Sequence, residues 1–183
     1  MQRPRFLIIA IALIVTTIIF GTIYASQQQI LRIGANSPQI QIAEDAAESL
    51  NAGINPISFT DTKVDIGKSL ADFIIIYDKS GHIVSGDGYL NNQMPTVPIG
   101  VLKQSDGKDY SFVTWQPQTN VRIASVSVAT NKYYVFSGRS LKEVEKQEDK
   151  QLQFAAFGWF CSVIVILAGA WINSKFVKKH SGK

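Results

Sequence analysis

The stretch YYVFSGRSLKEVEKQEDKQLQFAAFGWF, Tyr133 to Phe160, changes physical character three times. YYVFSG is aromatic and β-branched, the composition of a pleated, half-buried strand. Gly138 is expected to end that strand. Ser140-Leu141-Lys142-Glu143 then has the spacing of a capping box, Ser at the N-cap and Glu three positions on. Leu141 and Val144 keep an apolar edge, Glu145 to Gln151 is polar all round, and from Phe154 the chain is wholly apolar. A core strand is thus expected to feed a helix that continues unbroken into an apolar segment.

That segment, Phe154 to Ile172, carries no charge, and neither does Phe6 to Tyr24. At about 1.5 Å per residue, either as a helix is long enough to cross a hydrocarbon core of about 30 Å. A helix satisfies its own backbone groups where lipid offers no partner. Tyr24, Trp159 and Trp171 sit at the ends, as interfacial aromatics do. The first segment is longer than the apolar core of a cleaved signal, about 7–15 residues, and Ala25-Ser26-Gln27 is a poor cleavage site. It reads as an uncleaved signal anchor.

Charge sets the orientation. Arg3 and Arg5 precede the first span; Lys175, Lys178, Lys179 and Lys183 follow the second. No acidic residue lies in either tail. Residues 26–153 carry twelve basic and fourteen acidic side chains, a net of −2, so the formal +4 of the chain belongs to the tails. The positive-inside rule places both termini in the cytoplasm and residues 26–153 outside the cell (inner) membrane. The basic tails suit anionic lipid headgroups, and the overall positive charge is no argument for a nucleic-acid partner. The single cysteine, Cys161, lies in the second span, so the outer segment must be held by an apolar core and not by disulfides.

Within the outer segment, the first helix is expected to emerge from the membrane and end near Gly34. Ser37 and Pro38 suit the N-cap and first position of a second helix, Pro38 to Asn51, with Ile40, Ala43, Ala47 and Leu50 on one face. Residues 54–70 read as a loop containing a Thr60-Asp61-Thr62 cluster. Phe73 to Tyr77 is a nearly continuous apolar run, as in a central strand. Asp78-Lys79-Ser80-Gly81 is a hairpin loop with Gly81 left-handed, and His82 to Ser85 returns. After a connection from Asn91 to Asp109, with a short helix over Ile99 to Gln104, three strands follow: Asp109–Gln116, Val121–Ala129 and Lys132–Gly138. Pro117 and Thr130-Asn131 read as the turns between them. The expected division is a tail (1–5), a span (6–25), a helix extension and linker (26–37), an α+β domain (38–138), a juxtamembrane helix (139–153), a span (154–172) and a basic tail (173–183).

Five strands, a flanking N-terminal helix and the hairpin IYDKSGHIV, held between two spans, resemble a PAS-like or Cache-type extracytoplasmic sensor domain of histidine kinases and chemoreceptors. LRIGANSPQIQIAEDAAESL, SLADFIIIYDKSGHIV, VPIGVL, TWQP, VRIASV and GRSLKEVE also resemble a group of short bacterial two-span membrane proteins. The second likeness implies no biochemical activity. The first implies an outer sensor of a small molecule or envelope signal, with a five-stranded antiparallel sheet. The tail after Ile172 is too short for a kinase, cyclase or methyl-accepting domain, so the expected output is a separate membrane protein partner or a homodimer.

Arg122 stands in a mostly apolar strand, predicted to lie across the hairpin from Thr114 on the face opposite Trp115. The guanidinium could grip a ligand carboxylate; otherwise Arg122 is a cation on the open sheet face, or is in a salt bridge to Asp109 or Asp72. Trp115, Tyr77, Tyr89 and Tyr110 suit the wall of an apolar pocket with polar tips, or ordinary core and rim positions. Arg139, with Ser140 and Glu143, stands where sheet movement would pass to the juxtamembrane helix; Arg139 reads equally as a surface cation. His82 alone cannot build a metal site, and His180 belongs to the tail. No Gly-x-Ser-x-Gly, His-Glu-x-x-His or phosphate loop occurs, so neither an enzyme nor a cofactor is expected. Thr17-xxx-Gly21-xxx-Ala25 and Gly158-xxx-Ser162 are small-residue spacings that allow close helix approach within or between copies. The rival to a sensor is a structural or assembly accessory subunit of a membrane complex.

Overall fold

The structure, a computed structural model, describes residues 3–59 and 62–180, with side chains over 6–59 and 62–175. Arg3, Arg5, Lys178, Lys179 and Lys183, from which the orientation is read in sequence, as well as His180 and the loop residues Thr60 and Asp61, lie outside the described side chains. Two compact units are present, Met1–Ile30 with Gln147–Lys183, and Leu31–Lys146.

Helix α1 runs from Arg3 to Asn51 with Pro38 inside it, which corrects the expected break and linker between Gly34 and Ser37. A proline inside a helix loses one backbone bond and crowds the preceding turn. Tertiary burial outweighs that cost. Ala35, Gln39, Ala43, Ala47 and Leu50 are buried at spacings of 4, 4, 4 and 3, one continuous face on both sides of the proline. Ser37 caps nothing; its hydroxyl donates back to the Ile33 carbonyl at 3.4 Å.

The rest of the second unit is α+β. After a 3₁₀ turn at Pro56–Phe59 come β1 (Val64–Asp65), β2 (Phe73–Asp78), β3 (Ile83–Gly86) and β4 (Gly88–Tyr89). Then follow α2 (Ile99–Leu102), a 3₁₀ turn at Lys103–Ser105, β5 (Ser111–Gln118), β6 (Val121–Ala129), β7 (Tyr133–Ser140) and α3 (Lys142–His180). Strands β1 and β4 form a small parallel pair, the first of them inside what reads in sequence as loop. The main sheet is antiparallel and five-stranded, in the order β3-β2-β7-β6-β5.

The period of two along the strands divides the apolar residues between two cores. Ile74, Ile76, Val126, Val128 and Val135 pack with Ala43, Ala46, Ala47 and Leu50 of α1. On the opposite face Phe73, Ile75, Tyr77, Trp115, Ile123, Tyr134 and Phe136 pack with Val64, Ile66, Val97 and Leu102 from the connections. The Phe136 ring takes Tyr77 and Trp115 edge-on, with centroids 6.5 and 5.4 Å away.

The β2–β3 hairpin follows its sequence signature: Gly81 has φ +88°, and Asp78 Oδ1 accepts from the Ser80 and His82 amides at 2.8 and 2.9 Å. These bonds, the His82 amide first, hold the Asp78 carboxyl below its ordinary range. Pro117, by contrast, is not a turn. It sits inside edge strand β5, where the pairing with β6 is bulged between Trp115 and Gln118. A proline that cannot donate to the ladder is tolerated in such a bulge. The turn falls at Thr119-Asn120, with Asn120 at φ +67°.

In the first unit, both terminal helices are long and apolar enough to cross a membrane, with windows of mean hydropathy 2.8 and 2.1. Phe6, Ile8, Phe154 and Val165 leave most of their apolar surface uncovered. Within this unit Trp159 Nε1 donates to Thr17 Oγ1 at 2.9 Å, and a Cβ on Gly158 would stand 2.6 Å from the Phe20 ring. Gly158 is therefore a close-approach position. Among the described residues nothing lies within 4 Å of where a Gly21 Cβ would be, so Gly21 is not in close contact with another part of this chain.

Candidate functional site

Strand β7 passes Gly138, its expected end, and delivers Arg139 and Ser140 to the start of α3. Arg139 Nε donates to the Leu70 carbonyl at 3.0 Å and stands 3.9 Å from Asp72 Oδ1. The same Asp72 oxygen accepts from Gln39 Nε2 of α1 at 2.6 Å. Asp72 immediately precedes β2. One carboxylate therefore touches α1, the lead into β2, and the strand that becomes α3.

Arg122 supplies a second attachment. Its carbonyl accepts from the Leu141 amide at 2.8 Å, and its Nη1 donates to Glu145 Oε1 at 2.6 Å. Backbone and side chain of one β6 residue thus hold the first turn of α3. The Leu141 carbonyl accepts the first helical bond, from the Glu145 amide, so the cap sits one residue later than the capping box implies. Ser140 Oγ accepts from the Lys142 amide at 3.3 Å, and Glu143 makes none of these contacts.

Gln39 is completely buried, and its Oε1 has no hydrogen-bond partner among the described residues. Ser137 Oγ is buried and unpartnered as well. Ser137 pairs across the sheet with Ile74 and Val126, so it belongs to the face that packs against α1.

The five residues considered for a pocket do not converge. Tyr77 and Trp115 are buried in the core away from α1, and Tyr77 donates its hydroxyl to the Pro95 carbonyl at 3.1 Å. Burial pushes that hydroxyl well above its ordinary range. Tyr110 borders the opposite core, edge-on to Phe112 at 5.0 Å. Tyr89 lies in β4 under the Lys63 ammonium at 4.9 Å. Arg122 precedes Ile123, the partner of Trp115 in β6; it pairs with neither Asp109 nor Asp72, and Ala124, not Arg122, faces Thr114. The Glu145 pairing is hidden in sequence because a polar run on a helix reads as solvated. Gln39 is hidden because Pro38 reads as the start of its helix. Its spacing of four from both Ala35 and Ala43 is the signal that finds it.

A groove of about 420 Å³ opens on the α1 side, lined by Ile42, Asp45 and Ala46 of α1, Phe59 of the 3₁₀ turn, Ile74 of β2, and Asp87. Asp87 Oδ1 accepts from the Ile74 amide at 2.7 Å. Burial pushes the Asp87 carboxyl up, against the lowering effect of that bond. The fold thus binds a proton at Asp87 more tightly than the unfolded chain does. Stability then falls as pH rises from the ordinary carboxylate value through the raised one, and the deficit is complete above it. Asp87→Asn keeps an acceptor for Ile74. It should leave stability at neutral pH equal to or higher than wild type, with no gain in acid, as urea unfolding at the two pH values would register.

No family model, curated protein or solved structure matches this chain.

Proposed function

We propose that this chain is a membrane-anchored extracytoplasmic sensor module of PAS-like or Cache type, which signals through a separate membrane protein partner. In this reading both termini are cytoplasmic, residues 26–153 are outside, and the terminal helices cross the cell membrane. The observation that carries it is the shared Asp72 carboxylate, which ties Gln39 of α1 to Arg139 at the strand-to-helix passage. This carboxylate gives a change at the α1 side of the sheet a contact route toward the start of α3. The five-stranded antiparallel sheet with α1 packed on one face supports the reading, because it is the architecture that the family likeness implies.

One observation favours the rival reading of an accessory subunit. The core away from α1 is filled by Tyr77, Trp115 and Phe136 and is built like a docking domain without a ligand. Photocrosslinkers at Ile18 and Leu167, both exposed positions on the apolar helices, separate the two in native membranes. The sensor reading expects a crosslinked partner protein whose yield changes when Asp72 is replaced by alanine. A partner captured equally by wild type and variant would establish the accessory reading instead.

A further inference from the structure

We propose that the groove between α1 and the sheet binds an organic monocation, a primary or quaternary ammonium on a compact apolar body. This names a ligand class for the proposed sensor; its use as a signal rests on that reading, but the binding does not. The volume of about 420 Å³ lies in the range of small-molecule sites. Ile42, Ala46, Phe59 and Ile74 give it an apolar floor, and Asp45 and Asp87 face it from opposite sides of the junction between helix and sheet. Neither carboxylate has a cationic partner among the described residues. Asp45 accepts from the Gln41 side-chain amide at 2.7 Å, and Asp87 accepts from the Ile74 backbone. Lys63, the cation nearest in sequence to the groove wall, is engaged over the Tyr89 ring.

An ammonium head completes this arrangement. A primary ammonium would donate charge-assisted bonds to the two carboxylates, with the Ser49, Ser58 and Thr62 hydroxyls at hand as further acceptors. Phe59 lines the same groove, where an aromatic ring can attract a cation. A metal ion suits the groove poorly: among the described residues no group of three or more His, Cys, Asp or Glu is placed to hold one, and divalent cations take about six or more oxygen ligands. An anion is opposed by both carboxylates. The groove also adjoins the coupling junction. Its α1 wall begins at Ile42, one turn beyond Gln39, and its β2 wall is Ile74, two positions beyond Asp72.

The test uses the full chain in lipid nanodiscs, with phenethylamine, tryptamine and choline as cationic probes. Phenethyl alcohol is the neutral isostere and 3-phenylpropionate the anion. Saturable binding by calorimetry is expected for at least one ammonium, with little or none for the alcohol and the acid. Asp87→Asn and Asp45→Asn should each weaken it by about ten-fold or more, the loss of one charged hydrogen bond. Asp87→Asn retains the acceptor for Ile74, and Asp45 lies on the exposed side of α1, so at least one variant remains folded. The proposal is overturned if no ammonium binds, if the alcohol binds equally well, or if both variants keep the affinity. Amine binding that leaves the partner crosslinks unchanged would sink the sensor reading and keep the groove. Crosslinks that respond to Asp72→Ala without any amine binding would do the reverse.

Discussion

Phe73→Ala is expected to destabilise the sheet domain by about 3–5 kcal/mol, the usual cost of emptying a buried aromatic site. Phe73 opens β2 and is 2% exposed. Its ring is closed in by two glycines: a Cβ on Gly88 would stand 2.5 Å from it, and one on Gly138 2.6 Å. A Cβ on Gly138 would also meet Ile123 at 2.7 Å. The site therefore fails in both directions. Gly138→Ala overpacks it, at about 1–3 kcal/mol, and β7 has no room to retreat, because it is paired on both sides. The two changes must also be coupled. Once Phe73 is alanine, the methyl at position 138 loses its clash with the ring and keeps only the one with Ile123, so the double variant should be more stable than the sum of the single losses. Pulse proteolysis of the full chain in urea measures all three. Strict additivity would show that Gly138 is needed for something other than the Phe73 ring.

Asp72→Ala should have its largest effect away from its own position. It leaves the buried Gln39 amide without its acceptor, in a side chain whose oxygen already has no partner. The expected loss is about 1–3 kcal/mol for an unsatisfied buried donor. The ion-pair component is small, since Arg139 is 42% and Asp72 29% exposed and they stand 3.9 Å apart. Asp72→Asn retains an acceptor for Gln39 and should recover most of the stability. Hydrogen exchange should accelerate together in α1 from Ala35 to Leu50 and in the first turn of α3, because Asp72 holds Gln39 of α1 and Arg139, three residues before α3. If exchange rises only in the loop before β2, Asp72 does not couple the helices and the proposed transmission route is wrong.

Much of this architecture is legible in the sequence. The strands announce themselves because period-two burial and turn chemistry are local: Asp78 and Gly81 fix the hairpin by bonds that reach no further than His82. The two apolar helices are legible for the same reason, since a long uncharged run needs no tertiary information. What sequence misses is decided at long range. Pro38 reads as a helix start, yet α1 runs through it because burial of Ala35 on one side and Gln39 on the other outweighs a local breaker. Pro117 reads as a turn, yet an edge-strand bulge absorbs it. The coupling set is half visible. Arg139 and Ser140 lie at a recognisable strand-to-helix passage, but Asp72 stands before the first strand of the main sheet and Gln39 further back still, in α1. The aromatic residues singled out for a pocket are divided between the two faces and β4, whereas the groove is lined by residues that look like an ordinary amphipathic helix and a hairpin exit.

The account depends on residues 26–153 being exported while both ends stay inside. With Cys161, the only cysteine, changed to serine, single cysteines at Ser80 in the exposed hairpin and at Lys179 in the tail report the two sides. A membrane-impermeant maleimide applied to intact cells, after permeabilisation of any outer membrane, should label position 80 at once and position 179 only when the inner membrane is opened. Labelling of 179 but not 80 in intact cells would contradict the account.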